Sequence, residues 1–139
     1  MQPSERRFAI LLAPRLWKLV FWSGVAAVCM LSLVPQQVLP RPGVSDKLLH
    51  LAVYFVLMAV SYPAYPTRVA ERRIVAGLVV LGLALEVLQT VSPLRVMSVA
   101  DAAAGAAGVG LAMLAARATT GLGELRRRRR AAGGAVRSR

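Results

Sequence analysis

Four apolar runs of about 18 or 19 residues each, set apart by short stretches rich in proline and arginine, decide most of what this chain can become. They are Leu16 to Val34, ended by Pro35; Ser45 to Tyr62, followed by Pro63 and Pro66; Ile74 to Val91, before Ser92 and Pro93; and Val99 to Ala116. As a helix each run is roughly 27 Å long, enough to cross a hydrocarbon core of about 30 Å. None alternates apolar with polar residues, and a transmembrane barrel needs more strands than four. The expectation is an all-α membrane protein: four transmembrane helices in a compact bundle over 16–118, a basic flank at 1–15 and a basic tail at 119–139.

Composition agrees with that reading and removes others. Apolar residues make up 57% of the 139, mean hydropathy is +0.58, and charged residues are 17%, against about 25% in soluble domains. The formal net charge is nevertheless +12. A nucleic-acid binder would interleave such charge with polar and aromatic surface residues, so no nucleic-acid partner is expected. The lone Cys29 sits inside an apolar run, where it reads as packing; it cannot form an intramolecular disulfide, and neither a metal nor a cofactor is called for. The first run follows Arg6, Arg7, Arg15 and Lys18 but is long and has no A-x-A cleavage site after it. It reads as a retained anchor rather than a signal peptide, and Arg6-Arg7 lacks the surroundings of a twin-arginine signal.

Basic residues set the expected orientation. Fifteen lie in the N-terminal flank, in the second loop (Arg68, Arg72, Arg73) and in the C-terminal tail from Arg117; only three, Arg41, Lys47 and Arg95, lie in the other two loops. The positive-inside rule then puts both termini in the cytoplasm and the first and third loops outside. The tail, with Arg126 to Arg130, is of low complexity and reads as disordered. Its natural partner is a layer of anionic lipid headgroups, at about 1 kcal/mol per basic residue.

The scarce polar residues are the informative ones. Helix two opens with Ser45, Asp46, Lys47 and His50, with Tyr54 a turn further on; helix three ends with Glu86 and Gln89; Arg95 lies in the third loop; helix four opens with Ser98 and Asp101. On the orientation above, all fall at the outer ends of their helices. Asp46, His50 and Tyr54 recur at i, i+4, i+8 and share a face, and Glu86 and Gln89 are i, i+3 neighbours. Ser98, Asp101, Gly105 and Gly108 form a polar-then-small stripe down helix four, and Ala104 with Gly108 is a small-xxx-small pair that admits a neighbouring backbone. Ser98-x-x-Asp101 also matches a helix capping box. Glu86 stands apart: a carboxylate in an apolar helix, near the end where the dipole disfavours it, costs several kcal/mol unless offset. Lys47, His50 and Arg95 are the cationic side chains available to offset it.

These motifs, D-K-x-x-H from Asp46, E-x-x-Q from Glu86 and R-x-x-S-x-x-D from Arg95, resemble the VanZ-like family of small multi-pass membrane proteins over roughly residues 45–115. The resemblance implies a bacterial inner-membrane protein concerned with the cell envelope. The family's namesake is associated with low-level resistance to the glycopeptide antibiotic teicoplanin, and for most members no molecular activity is established. One position departs from the pattern: Gly105 stands where the family usually has asparagine.

Four functions compete for the cluster. In the leading one it binds a polar or anionic headgroup, that of a lipid-linked envelope precursor or a lipoglycopeptide. Lys47 and Arg95 hold the anion, His50 and Gln89 hydrogen-bond it, and Glu86 and Asp101 fix the cations, with Asp46, Tyr54 and Ser98 completing the wall. In the second, an enzyme acts on a lipid-linked substrate through His50, Glu86 and Asp101 as acid–base groups; against it stand the absence of G-x-S-x-G, of H-E-x-x-H and of a second histidine. In the third, Glu86 is the carboxylate of a small proton-coupled transporter, although Ile74 to Leu83 offers no polar path. In the fourth, the ion pairs only lock the helices together.

Overall fold

A computed structural model describes the backbone of residues 3–34, 43, 45–90 and 97–137, and side chains of 13–34, 43, 45–90 and 97–121. Arg41 and Arg95, two of the three cations expected on the outer side, lie outside the described residues. The described chain is all-helical: α1 (Pro3–Leu33), α2 (Asp46–Ala64), α3 (Arg68–Gln89) and α4 (Val99–Arg137).

Several boundaries differ from the apolar runs. α1 begins at Pro3 instead of Leu16, taking in the basic flank, and α2 ends at Ala64 instead of Tyr62. The start of α3 and the end of α4 differ for local reasons. α3 begins at Arg68, six residues before Ile74, because Thr67 caps it: the Thr67 Oγ1 accepts the Ala70 N–H at 3.2 Å, and Glu71 stands in the first turn. α4 does not stop at Ala116. It continues through the arginine run to Arg137, where composition predicts disorder, because alanine and arginine are strong helix formers and no proline interrupts them. α2 absorbs Pro63 into its last turn, and the Tyr65 N–H closes the helix on the Ser61 carbonyl at 2.8 Å.

Three helices carry segments long and apolar enough to cross a membrane: Ala13–Leu33, Asp46–Ala64 and Val99–Gly121. α3 falls short because its uncharged stretch starts only after Arg73 and the helix ends at Gln89, with Glu86 inside it. Much of the described outer surface is apolar. Leu16, Met30, Val56, Val80, Leu83, Leu111 and Leu114 are all exposed, whereas a soluble bundle would present its polar faces there. This is the make-up of a multi-pass membrane protein.

Inside, Phe21, Tyr54, Leu57, Met58, Leu78, Val109 and Ala112 form the core, with Met58 wholly buried at 0% exposure. The most extensive interface is α2 against α4, followed by α1 against α2. Gly108 explains the first: a methyl group there would overlap the Leu51 carbonyl oxygen, so the two backbones touch. Gly24 explains the second, since a Cβ would press on Leu57 Cδ2 at 2.8 Å.

The link between α2 and α3 is only 65–67, so the two run antiparallel, and α3 meets α2 at both ends: Glu71 with Tyr62, Glu86 with His50. This connectivity gathers the C-terminal ends of α1 and α3 and the N-terminal ends of α2 and α4 at one end of the bundle. The opposite end holds aromatics and basic residues. There the Trp22 indole donates to the Tyr65 hydroxyl at 2.9 Å, Phe21 packs edge-on against both rings, and Lys18 lies 5.2 Å from the Tyr65 ring centre.

Candidate functional site

Glu86 organises the gathered end. It is only 3% exposed and lies one turn before the end of α3, where its own helix dipole works against a negative charge. Its carboxylate escapes that field by reaching to the start of α4: Oε2 accepts the backbone N–H of Ser98 at 2.8 Å. A helix N-terminus is where a carboxylate is stabilised, by an N–H that lacks an intrahelical acceptor and by the dipole's positive end. The offset expected from a cationic side chain is thus supplied first by backbone.

That contact also divides the capping box. Its forward half forms, the Asp101 N–H donating to Ser98 Oγ at 3.2 Å. The return half would bring the Asp101 carboxylate onto the Ser98 N–H, but Glu86 already occupies that donor. Asp101 is therefore released from capping and turns toward α2. Its Oδ1 lies 3.8 Å from the Lys47 ammonium, beyond hydrogen-bond distance, and is buried with no hydrogen bond among the described residues. Lys47 itself is 61% exposed at the mouth, against 16% for the Asp101 side chain.

His50 stands between the two acids. Its Nδ1 lies 2.9 Å from the Asp46 carbonyl oxygen, one turn back on α2. A carbonyl only accepts, so Nδ1 carries hydrogen, and Nε2 is left facing Glu86 Oε1 at 3.7 Å. The i, i+4, i+8 face read from sequence is present and graded: Asp46 exposed, His50 half-buried, Tyr54 buried.

Tyr54 forms the floor, its ring between two glycines. A Cβ on Gly105 would lie 3.2 Å from the ring's Cδ2, and one on Gly82 would lie 3.1 Å from the hydroxyl. Glycine at 105 thus leaves room for the tyrosine ring, which an added side chain would press upon. Gln89, 5% exposed, donates through Nε2 to the Ser32 carbonyl at 3.1 Å and ties α3 to α1.

His50, Tyr54, Gly82, Glu86, Asp101 and Gly105, with Ser32 from α1, enclose a cavity that gives the centre of a water-sized group about 10 Å³, room for a single such group. Among the described residues, no group of three His, Cys, Asp or Glu side chains is placed to hold a metal ion.

Of the residues singled out by sequence, the structure brings Lys47, His50, Tyr54, Glu86, Ser98 and Asp101 into one cluster. Asp46 contributes its carbonyl, and Gln89 faces α1; Arg95 lies outside the described residues. Sequence reasoning missed the Ser98 N–H as the partner of Glu86, Ser32 as a wall from α1, and Gly82 beneath the Tyr54 hydroxyl. Only Ser32 carried a signal, as a polar residue near the outer end of the first run. Comparison with protein-family models, with curated proteins and with solved structures finds no match. The likeness to VanZ-like proteins accordingly rests on the motif residues alone.

Proposed function

We propose that the chain is a four-span protein of the bacterial inner membrane, termini cytoplasmic, that binds the polar headgroup of an envelope lipid or lipoglycopeptide at its extracytoplasmic end. The observation that carries this is the contrast within the cluster. Lys47 is exposed and only loosely paired at 3.8 Å, over a more enclosed group in which half-buried His50 and Ser98 flank the buried Glu86. A loosely held ammonium at a membrane face is free to exchange its carboxylate for a phosphate or pyrophosphate oxygen. The four-span topology is supported by α3 meeting α2 at both ends, and the orientation by the charge bias. Trp22 and Tyr65 at the basic end add interfacial anchors of the kind found at membrane–water boundaries.

The division of labour differs from the one read in the sequence. His50 and Gln89 face protein groups at 2.9 and 3.1 Å, so they shape the site, and the headgroup rests on Lys47, with Arg95 as the candidate second cation. The cavity beneath has room for only one water-sized group, so a headgroup sits over it rather than in it. Titration of labelled envelope lipids against purified protein tests the reading: Lys47→Ala with Arg95→Ala lowers affinity by roughly tenfold or more, and unchanged affinity discards it. A hydrolytic role for His50 and Glu86 has one observation in its favour, an Nε2 facing a buried carboxylate at 3.7 Å beside that cavity. Turnover of a lipid phosphate lost in both His50→Ala and Glu86→Gln would replace binding with catalysis. Transport finds less support, because Met58 and Val109 fill the middle of the bundle.

A further inference from the structure

The cavity beside Asp101 is apolar on one side, where Leu78, Val79 and Leu85 line it, and its polar groups are rich in acceptors. Among the described residues, Glu86 Oε1 receives no hydrogen bond, although its residue is 3% exposed, and Asp101 Oδ1 is buried and equally without a donor. His50, whose Nδ1 donates to the Asp46 carbonyl, turns its Nε2 toward Glu86 Oε1 at 3.7 Å. Tyr54 and Ser32, whose hydroxyls accept as well as donate, complete its polar side. Two carboxylates, an imidazole nitrogen and two hydroxyls around about 10 Å³ call for a small group with several donors and a positive charge. A primary ammonium, with three N–H donors and about the bulk of a water molecule, has that chemistry. A trimethylammonium has no donor and is too large. Lys47 does not meet the need, as its Nζ stops 3.8 Å from Asp101 Oδ1.

We propose that this cavity is a primary-ammonium subsite, and that the headgroup bound at the mouth is a zwitterionic one carrying an amine beside its phosphate. The inference rests on the headgroup-binding reading and deepens it. The amine enters between Asp101 and Glu86, and the phosphate, a short linker away, meets Lys47. Each charge of the ligand then finds an opposite charge, and the buried acid oxygens gain the donors they lack, which an anionic headgroup alone would not supply.

The test uses the full chain in detergent, with phosphatidylethanolamine, phosphatidylcholine and phosphatidylglycerol titrated separately and bound lipid counted by native mass spectrometry. Phosphatidylethanolamine is expected to bind at least about tenfold more tightly than phosphatidylcholine, the scale of one charge-assisted hydrogen bond. Asp101→Asn is expected to remove most of that ratio, with folding checked by circular dichroism. Should this variant not fold, Tyr54→Phe keeps the ring between its glycines and removes one acceptor, and a reduced ratio is again expected. Equal binding of the ethanolamine and choline lipids overturns the ammonium subsite, while Lys47-dependent binding of all three leaves the headgroup reading standing. Binding of none overturns both. Soluble ethanolamine that displaces the ethanolamine lipid at equal concentration supports the subsite and moves its source from the membrane to a free amine.

Discussion

The two ends of the bundle use similar residues to opposite effect. At the basic end, Glu71 is buried and its carboxylate is consumed: Arg68 Nη1 donates to Oε2 at 3.0 Å and the Tyr62 hydroxyl to Oε1 at 3.4 Å. The Trp22 indole and the Tyr65 hydroxyl are likewise paired, at 2.9 Å. At the other end Glu86 is as deeply buried, yet among the described residues only Ser98 hydrogen-bonds it, through one oxygen, while His50 and Lys47 stand off from their acids at 3.7 and 3.8 Å. A carboxylate whose two oxygens both have donors is a fastener between α2 and α3. One with an oxygen left facing a cavity, beside a second acid in the same condition, keeps capacity for something else. Burial of charge alone does not separate a lock from a site; completeness of pairing does.

The strongest way to break that contrast is to remove each acid outright. Glu86→Ala leaves the part-buried Ser98 N–H without its acceptor and empties the space that His50 Nε2 faces, and is expected to lower stability in detergent by about 3 kcal/mol. Glu71→Ala is expected to cost less, about 1 kcal/mol, because Arg68 is exposed and can return to water. Thermal unfolding followed by circular dichroism ranks the two. A larger loss for Glu71 would mean that the basic end is the structural keystone and the contrast is wrongly drawn.

Next in size is Gly105→Asn, which restores the residue usual in the resembled family. The new Cβ arrives 3.2 Å from the Tyr54 ring, and the rest of the side chain competes for the ring's place, so a loss of about 1 to 3 kcal/mol is expected. Pairing it with Tyr54→Ala should recover part of the loss, since the ring is then gone. Additive losses in the double variant would show that Gly105 is small for some other reason.

These cases show why the fold is more legible in the sequence than the site. Helix number and order follow from hydropathy, and the clustering of polar residues at one end follows from chain alternation between short loops. The shared face of Asp46, His50 and Tyr54 follows from helical spacing. The Glu86 to Ser98 bond is not legible, because its donor is a backbone N–H, which every residue but proline carries and which becomes available only when a helix starts there. The helical course of α4 to Arg137 escapes a reading that weighs a run of like charges as repulsion and leaves out the helix-forming tendency of the same residues. The closeness of Gly105 to the Tyr54 ring is not legible either, since it depends on how α2 and α4 pack.

A smaller effect sharpens the basic end. Tyr65→Phe removes the acceptor of the Trp22 indole but keeps the ring against Phe21. About 1 kcal/mol of stability should be lost, with no change in lipid preference. A change in lipid preference would mean that the two ends communicate through α1 and α2.

The smallest expected change in stability is the most informative about function. Lys47→Ala removes an exposed side chain from a pair held at 3.8 Å, and such pairs contribute at most about 0.5 to 1 kcal/mol. Arg68→Ala at the other end removes an equally exposed cation, this one hydrogen-bonded at 3.0 Å. If both ends were fasteners, the arginine variant would be the more damaging and neither would alter lipid binding. With a lock at the basic end and a site at the other, the arginine variant changes stability alone. The lysine variant then leaves the melting temperature within a few degrees of the parent and weakens headgroup binding by roughly tenfold. Lipid titration and thermal melts on these two proteins therefore separate pairing that holds helices from pairing that waits for a ligand, and equal lipid affinities would return the Glu86 cluster to the status of a second lock.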